Sequence, residues 1–274
     1  MKVKSHPTIL KHNVPVNIEA DSLNVAILGP DITPESDTFQ MFLSDVVKDM
    51  TQKAGQKCTA VRRILVSKDQ LEWTKEALID RLEQAVVGHP SERATTVGPL
   101  ATSAQKRDIL AGIETLAGHA ECVWGDPMAV PANGFYVAPA LYLVEGGVDA
   151  PFVHEHEVFG PVATLVPNDG NADEVVALVA AGGGGLVASL YSDDRNWSKD
   201  VILGIAPWNG RILWGSRKIA DQSPGPGTVL PTLVHGGPGK AGGGEELGGQ
   251  RGLSFYWQRT AIQGDRALLE KILQ

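Results

Sequence analysis

Residues 55–66, which read Gly-Gln-Lys-Cys-Thr-Ala-Val-Arg-Arg-Ile-Leu-Val, determine how the rest of this 274-residue chain is interpreted. The preceding residues 38–53 repeat apolar side chains at helical spacing and predict an amphipathic helix. The apolar run at 61–66 predicts a buried strand. Cys58 is therefore expected in a short loop where a helix gives way to a strand.

A cysteine in such a loop has two interpretations. Exposed backbone N–H groups and the neighbouring Lys57 would lower the pKa of the Cys58 thiol and favour the reactive thiolate. Free cysteines, however, are among the most buried residue types and often act as small core residues. Spacing alone leaves both interpretations open.

Outward from this stretch, helical and strand patterns alternate along the chain, which predicts a parallel sheet with helices on both faces. The predicted helices span residues 68–87, 103–116, 172–181, 195–203 and 266–273. The predicted strands and extended segments span residues 14–18, 120–124, 136–143, 162–166, 186–190, 211–214 and 254–262.

Four segments resemble, in the expected order, sequence motifs of the aldehyde dehydrogenase family. Residues 16–24 resemble the segment that carries the general-base glutamate, and residues 55–59 resemble the nucleophile segment. Residues 156–162 resemble the Glu-x-Phe-Gly-Pro motif, and residues 243–249 the C-terminal Glu-Leu-Gly segment. The resemblance implies an α/β fold: the parallel-sheet catalytic domain, with helices on both faces, lacking most of the N-terminal dinucleotide-binding domain.

The amino-acid sequences of three segments indicate one branch of that family. The segment Glu-Ala-Asp-Ser-Leu-Asn at 19–24, the glycine-rich tract at 235–244 and the sequence at 258–264 are similar to a branch with a narrow substrate class. That branch oxidises CoA-linked semialdehydes formed by ring opening in aerobic phenylacetate and benzoate degradation. The resemblance thus implies a small-molecule aldehyde substrate that is linked to CoA.

The family chemistry assigns a role to each matching residue. Cys58 would be the nucleophile that forms a thiohemiacetal, and Glu19 the base that activates water against the resulting thioester. Glu157 would accept hydrogen bonds from the nicotinamide ribose of NADP or NAD, with Phe159 packed beside the nicotinamide. Glu246 would either relay protons or hold a domain seam.

The resemblance also implies a domain organisation. Residues 1–19 would be a remnant of the dinucleotide-binding domain, residues 20–235 the catalytic domain, and residues 236–274 a C-terminal loop, an oligomerisation-type strand and a final helix. We expect the chain alone to bind NAD(P) poorly and to oxidise aldehydes slowly, because the family's oxyanion-hole asparagine lies in the N-terminal half. A homo-oligomer or a complementing N-terminal half would be its protein partner.

Two other functions remain open on the sequence. In the first, the chain would be a catalytically inactive remnant or binding module that keeps the fold. Alternatively, it would be a cofactor-independent thiol hydrolase in which Cys58 and Glu19 cleave thioesters or esters.

Composition and local pattern argue against other functional classes. The net charge of −8 disfavours nucleic acid or an anionic membrane as the main partner. The two cysteines, Cys58 and Cys122, fit a reducing cytoplasm, and Cys122 is interpreted as a buried structural residue. No metal site is predicted, because the His-Glu-His-Glu run at 154–157 has no further ligand cluster.

Two glycine tracts also do not predict a phosphate site. Residues 237–242 satisfy G-x-G-x-x-G, but no strand precedes them and no helix follows. The run at 182–185 is interpreted as a turn from a helix to a strand.

Overall fold

The computed structural model describes residues 2–230, 233–243, 249–254 and 256–272. Within these ranges seven strands form one sheet in the order β3-β4-β5-β2-β1-β6-β7. The strands are β1 Val25–Leu28, β2 Arg63–Ser67, β3 Glu121–Trp124, β4 Ala140–Leu143, β5 Val162–Asn168, β6 Gly185–Tyr191 and β7 Asn209–Gly215. The helices are α1 Pro7–His12, α2 Asp37–Thr51, α3 Leu71–Leu82, α4 Ser103–Ala117, α5 Pro151–Glu155, α6 Ala172–Ala181, α7 Arg195–Ile205, α8 Gly249–Ser254 and α9 Arg266–Ile272.

The sheet is parallel except at one edge, where β3 pairs with β4 in the antiparallel direction. Successive side chains of a strand point to opposite faces, and the central strand β1 shows this clearly. Val25 and Ile27 join a core formed with α4, α6 and α7, whereas Ala26 and Leu28 join a second core formed with α2 and α3. Both faces of the sheet are therefore covered by helices, as predicted from the alternation of elements.

The predicted helix before the cysteine loop is confirmed as α2. It begins after Ser36, whose side chain accepts a hydrogen bond from the Phe39 N–H. Beyond α2 the backbone turns through three residues with positive φ, the last of which is Gly55 at +69°. A Cβ at Gly55 would collide with the carbonyl of Gly160, so this position requires glycine. The turn delivers Cys58 to the amino end of β2.

The functional segments share one edge of the sheet. The segments that end at Asn24, Arg62 and Pro161 lead directly into β1, β2 and β5. Because these three strands are parallel, their amino ends lie at the same edge. The sequence segments that resemble catalytic motifs therefore meet there.

Several sequence predictions are wrong. Residues 14–18 form no strand but an irregular, partly exposed segment. It follows α1 and Asn13, the residue after that helix, which has a left-handed conformation. The predicted strand at 254–262 is not formed either: α8 extends to Ser254, and the described residues 256–262 are irregular and exposed. An extended chain needs a hydrogen-bonding neighbour, and neither segment joins the sheet.

Cys122 does lie in a strand, but its predicted burial is wrong. It is exposed, because β3 is the outer strand of the sheet and is covered by little else. Its sulfur contacts the carbonyl oxygens of Trp124 and Gly125 at 3.5 and 3.4 Å. None of the helices in the described part of the chain is long and apolar enough to cross a bilayer.

Candidate active site

A cleft of about 280 Å³ opens at the amino edge of the sheet. Four of the residues singled out in the sequence line it together: Cys58, Glu19, Glu157 and Phe159. The other lining residues are Ala20, Asp21, Ser22, Leu186 and Ala241. The fifth predicted residue, Glu246, lies outside the described residues.

Cys58 is exposed to solvent, and its loop is fixed by a buried amide. Asn24 donates from Nδ2 to the carbonyls of Cys58 and Ala60, at 2.8 and 2.9 Å. Its Oδ1 accepts from the Ser22 hydroxyl at 2.7 Å and from the Val187 N–H at 3.0 Å. This one side chain therefore joins the general-base segment, the cysteine loop and strand β6.

Glu157 forms a buried ion pair with Arg62. Arg62 Nε donates to Glu157 Oε1 at 3.0 Å, and the two side chains are only 4% and 6% exposed. The Ser22 N–H donates to Oε2 at 2.9 Å. Burial raises the pKa of Glu157, while the Arg62 charge and the Ser22 N–H oppose the rise. The carboxylate predicted to bind ribose is thus already held by two donors.

The rest of the Arg62 guanidinium fixes the cysteine loop. Nη1 donates to the Gly160 carbonyl at 2.8 Å, and Nη2 to the Gly55 carbonyl at 2.9 Å. The guanidinium carbon also lies 5.3 Å from the centre of the Phe159 ring, which is 37% exposed in the cleft. Arg62 is therefore the common anchor of the cysteine loop and of the loop that carries Glu157 and Phe159.

Lys57 does not serve the thiol as expected from the sequence. Its Nζ forms an ion pair with Asp49 Oδ1 at 2.5 Å and donates to Gln52 Oε1 at 3.1 Å. Burial raises the pKa of Asp49, and the Lys57 charge opposes that rise. Since Asp49 balances the lysine charge at short range, Lys57 ties the loop to α2 rather than activating Cys58.

Two other basic side chains lie beside Cys58. His235 Nε2 is 3.7 Å from the Cys58 sulfur. Burial lowers the pKa of Arg211 on β7, and electrostatic attraction to Cys58 opposes the change. Arg211 donates from Nη2 to the Pro226 carbonyl at 2.7 Å, while its buried Nη1 has no hydrogen-bond partner among the described residues. The thiol therefore faces basic groups that are distant in sequence.

The glycine-rich tract supports Glu19. The N–H groups of Ala20 and Asp21 donate to the Lys240 carbonyl at 2.9 and 3.3 Å. A Cβ at Gly242, where φ is +77°, would collide with the Ile18 carbonyl and press on the Glu19 side chain. Glycine at this position thus permits close backbone packing. The Glu19 side chain is exposed to solvent.

The His-Glu-His-Glu run divides between separate surroundings. His154 is buried, and its Nδ1 accepts from the fully buried Arg63 at 2.9 Å while Nε2 donates to the Gly147 carbonyl at 2.8 Å. Burial lowers the pKa of His154 and lowers that of Arg63 to about 10. His156 stacks on Phe152. These contacts account for the two histidines of the run as structural residues.

Comparison with known proteins agrees with this geometry. A profile described as the aldehyde dehydrogenase family matches residues 14–262. The chain belongs to the aldehyde dehydrogenase family. It is 39% identical over 243 residues to 3,4-dehydroadipyl-CoA semialdehyde dehydrogenase of Aromatoleum evansii, covering 86% of this chain and 47% of the relative. It is 40% identical over 179 residues to protein MaoC of Klebsiella aerogenes, covering 65% of this chain and 53% of the relative.

A solved structure supports the fold of this aldehyde dehydrogenase family member. An NAD-dependent aldehyde dehydrogenase from Sinorhizobium meliloti superposes with a TM-score of 0.75 at 26% identity, covering 92% of this chain and 46% of that one. The chain spans about half the length of the curated relatives that it matches. The fold and family predicted from the sequence motifs are confirmed.

The cleft offers groups that fit the nicotinamide end of NAD(P). Each Glu157 oxygen accepts one hydrogen bond from the protein, so each keeps a lone pair for a ribose hydroxyl. Phe159 supplies an exposed aromatic face beside it. Among the described residues, groups that fit NAD(P) are found for its nicotinamide riboside portion only.

Several residues at the site were not recognised from the sequence. Asn24, Arg62 and His235 all stand inside the quoted motifs, but nothing in their spacing says which atoms they contact. Arg211 stands outside those motifs, in the strand pattern of β7. An arginine in an otherwise apolar strand was the available signal, because charged side chains in such positions usually have a specific contact.

Proposed function

We propose that this chain is the catalytic half of an NAD(P)-dependent aldehyde dehydrogenase in which Cys58 is the nucleophile. One observation carries the proposal: Cys58, Glu19, Glu157 and Phe159, which come from three distant segments of the sequence, line one solvent-accessible cleft. A thiol and a carboxylate in one cleft supply the nucleophile and the base that two-step oxidation of an aldehyde requires.

In the first step the Cys58 sulfur attacks the carbonyl carbon of the aldehyde. A C–S bond forms, the π electrons of the carbonyl move to its oxygen, and the thiol loses its proton. Arg62 and Asn24 act before the reaction by fixing the loop, which limits the positions that the sulfur can occupy.

NAD(P), when bound, would supply the hydride acceptor that allows the tetrahedral adduct on Cys58 to become a thioester. Glu157 and Phe159 would hold the nicotinamide riboside in the cleft. Glu19 then takes a proton from water, the water oxygen attacks the thioester carbon, and the C–S bond breaks to release the acid and the thiolate. We also propose that Glu246 relays protons. In the proposed division of the chain, residues 1–19 are a remnant of the dinucleotide-binding domain, residues 20–235 the catalytic domain and residues 236–274 the C-terminal region.

For the substrate we propose a CoA-linked semialdehyde, with the chain acting in a homo-oligomer or together with an N-terminal half. Similarity to 3,4-dehydroadipyl-CoA semialdehyde dehydrogenase over 86% of the chain supports this substrate class. The open cleft is consistent with a substrate whose aldehyde end enters while a larger group remains outside.

A turnover assay tests the proposed function. We expect reduction of NADP or NAD by the chain in the presence of a CoA-linked semialdehyde, at least about tenfold more efficiently than with the corresponding free semialdehyde. The assay is run on the chain alone and after addition of the N-terminal half of the Aromatoleum relative as a separate polypeptide. We expect the chain alone to react slowly. Equal efficiency with the two semialdehydes would contradict the substrate class, and no reduction under either condition would contradict the dehydrogenase function.

A second function is favoured by the contact between Cys58 and His235. A thiol beside an imidazole is an arrangement used for acyl transfer, so a cofactor-independent thioesterase or esterase is the competing proposal. Turnover of a CoA thioester at the same rate with and without NAD(P), and its loss in Cys58→Ala, would favour the hydrolase.

A further inference from the structure

We propose that His235 is a catalytic residue that takes the proton of the Cys58 thiol when the sulfur attacks its substrate. This inference rests on the proposed role of Cys58 as nucleophile and assigns the thiol proton to a named atom. His235 would accept the proton of the thiol, and Glu19 would accept a proton from water.

The geometry supports a direct interaction. His235 Nε2 lies 3.7 Å from the Cys58 sulfur, within the range of a hydrogen bond to sulfur. The imidazole is half-buried, whereas the thiol is exposed. The sulfur can therefore meet a substrate on its open side while its other side contacts the ring.

Close backbone packing fixes the His235 loop in this position. Any Cβ at Gly210 on β7 would overlap the Gly236 carbonyl, and a Cβ at Gly237 would collide with the Gly185 carbonyl on β6. The Gly237 N–H also donates to the Gly242 carbonyl at 2.7 Å. The glycines of this tract thus allow the loop to lie directly on two strands, and His235 is carried by that contact.

The charge of Arg211 favours a thiolate at Cys58. Arg211 is electrostatically attracted to Cys58 from β7. Three carboxylates line the cleft beside Cys58, Glu19, Asp21 and Glu157, and the last of them is paired with Arg62. The nearest lysine in sequence, Lys57, is paired with Asp49.

The proton transfer balances without any other reactant. The S–H bond breaks and its proton moves to Nε2 of a neutral His235 that carries its own hydrogen on Nδ1. The sulfur electron pair forms the C–S bond with the carbonyl carbon, and the carbonyl π electrons move to oxygen. The products are an alkoxide on the Cys58 adduct and an imidazolium at His235.

The rate of Cys58 alkylation by iodoacetamide as a function of pH tests this assignment, because it needs neither aldehyde nor dinucleotide. Cys122 is also exposed, so every protein carries Cys122→Ser. We expect His235→Gln to slow alkylation about tenfold at pH 7 and to move the midpoint of the profile up by about one pH unit. The two rates should converge at high pH, where every accessible thiol is ionised.

The matched control is His89→Gln, which replaces an exposed histidine in a turn outside the cleft and should leave the profile unchanged. Superimposable profiles for His235→Gln and the parent protein would overturn the proposal. If His235→Gln does not fold, Gly210→Ala replaces it: displacement of the loop should give the same shift, and no shift would overturn the proposal. If His235→Gln shifts the alkylation profile as expected but the chain does not reduce NAD(P), only the dehydrogenase function is contradicted.

Discussion

Replacement of Cys58 by alanine is expected to reduce aldehyde oxidation by about 10,000-fold or more, to the level of the background. Loss of a covalent nucleophile removes both the thiohemiacetal and the thioester, and the remaining groups of the site cannot substitute for them. The measurement is the rate of NAD(P) reduction by the chain under the conditions in which the parent protein is active. Thermal unfolding of the variant should be nearly unchanged, since Cys58 is exposed.

Cys122→Ala is the matched control for this experiment, because Cys122 is also an exposed cysteine. It lies on β3 and does not line the cleft, so its rate should stay within about twofold of the parent. A Cys58→Ala variant that retained more than about one tenth of the activity would be incompatible with covalent catalysis by this sulfur.

Replacement of Arg62 by methionine is expected to lower the free energy of unfolding by about 3–5 kcal/mol at pH 7. The substitution keeps most of the side-chain volume but leaves the Glu157 carboxylate buried without its cation. It also removes the Arg62 hydrogen bonds to the carbonyls of Gly55 and Gly160, each of which keeps one backbone N–H donor. Chemical denaturation of the two proteins gives the difference directly.

The pH dependence of this loss follows from Glu157. Its pKa is raised in the folded protein by burial, so the folded state binds the proton more tightly than the unfolded state. Stability from this group is fully present below the unfolded carboxyl pKa and is lost as the pH rises through the folded pKa. Arg62 opposes the raised pKa, so its removal should widen this window and make the destabilisation larger at pH 7 than at mildly acidic pH.

Two further variants separate the ion pair from general damage. Addition of Glu157→Gln to Arg62→Met should recover about 1–2 kcal/mol, because the buried charge is then removed. Arg266→Met breaks an exposed pair with Glu270 and should cost no more than about 0.5 kcal/mol. Equal losses for Arg62→Met at acidic and neutral pH would count against a buried charge at Glu157.

Much of the fold could be predicted because its elements have strong local signals. Helix α2 has a capping serine and regular apolar spacing, and α6 matches its predicted bounds at Ala172–Ala181. Strand β1 at the centre of the sheet was missed, because four apolar residues after Asn24 give too little pattern. Burial between two parallel neighbours, which no local pattern reports, makes Val25–Leu28 a strand.

Sequence motifs predicted which residues form the candidate site, but not which contacts their side chains make. Cys58, Glu19, Glu157 and Phe159 meet in one cleft because the segments before β1, β2 and β5 share an edge. The pairings Arg62 with Glu157 and Lys57 with Asp49 depend on side-chain directions that spacing does not give. For that reason the sequence suggested Lys57 as the cation near the thiol, whereas the structure brings His235 and Arg211 there.

The lifetime of an acyl group on Cys58 tests most directly whether this thiol and Glu19 work in one cleft. The parent protein and Glu19→Gln, each carrying Cys122→Ser, are acylated with p-nitrophenyl acetate, and the mass of the Cys58 peptide is followed over time. Loss of the water-activating base should leave acylation intact and prolong the thioester at least about tenfold in Glu19→Gln. Equal thioester lifetimes in the two proteins, or no acyl group on Cys58, would contradict the account.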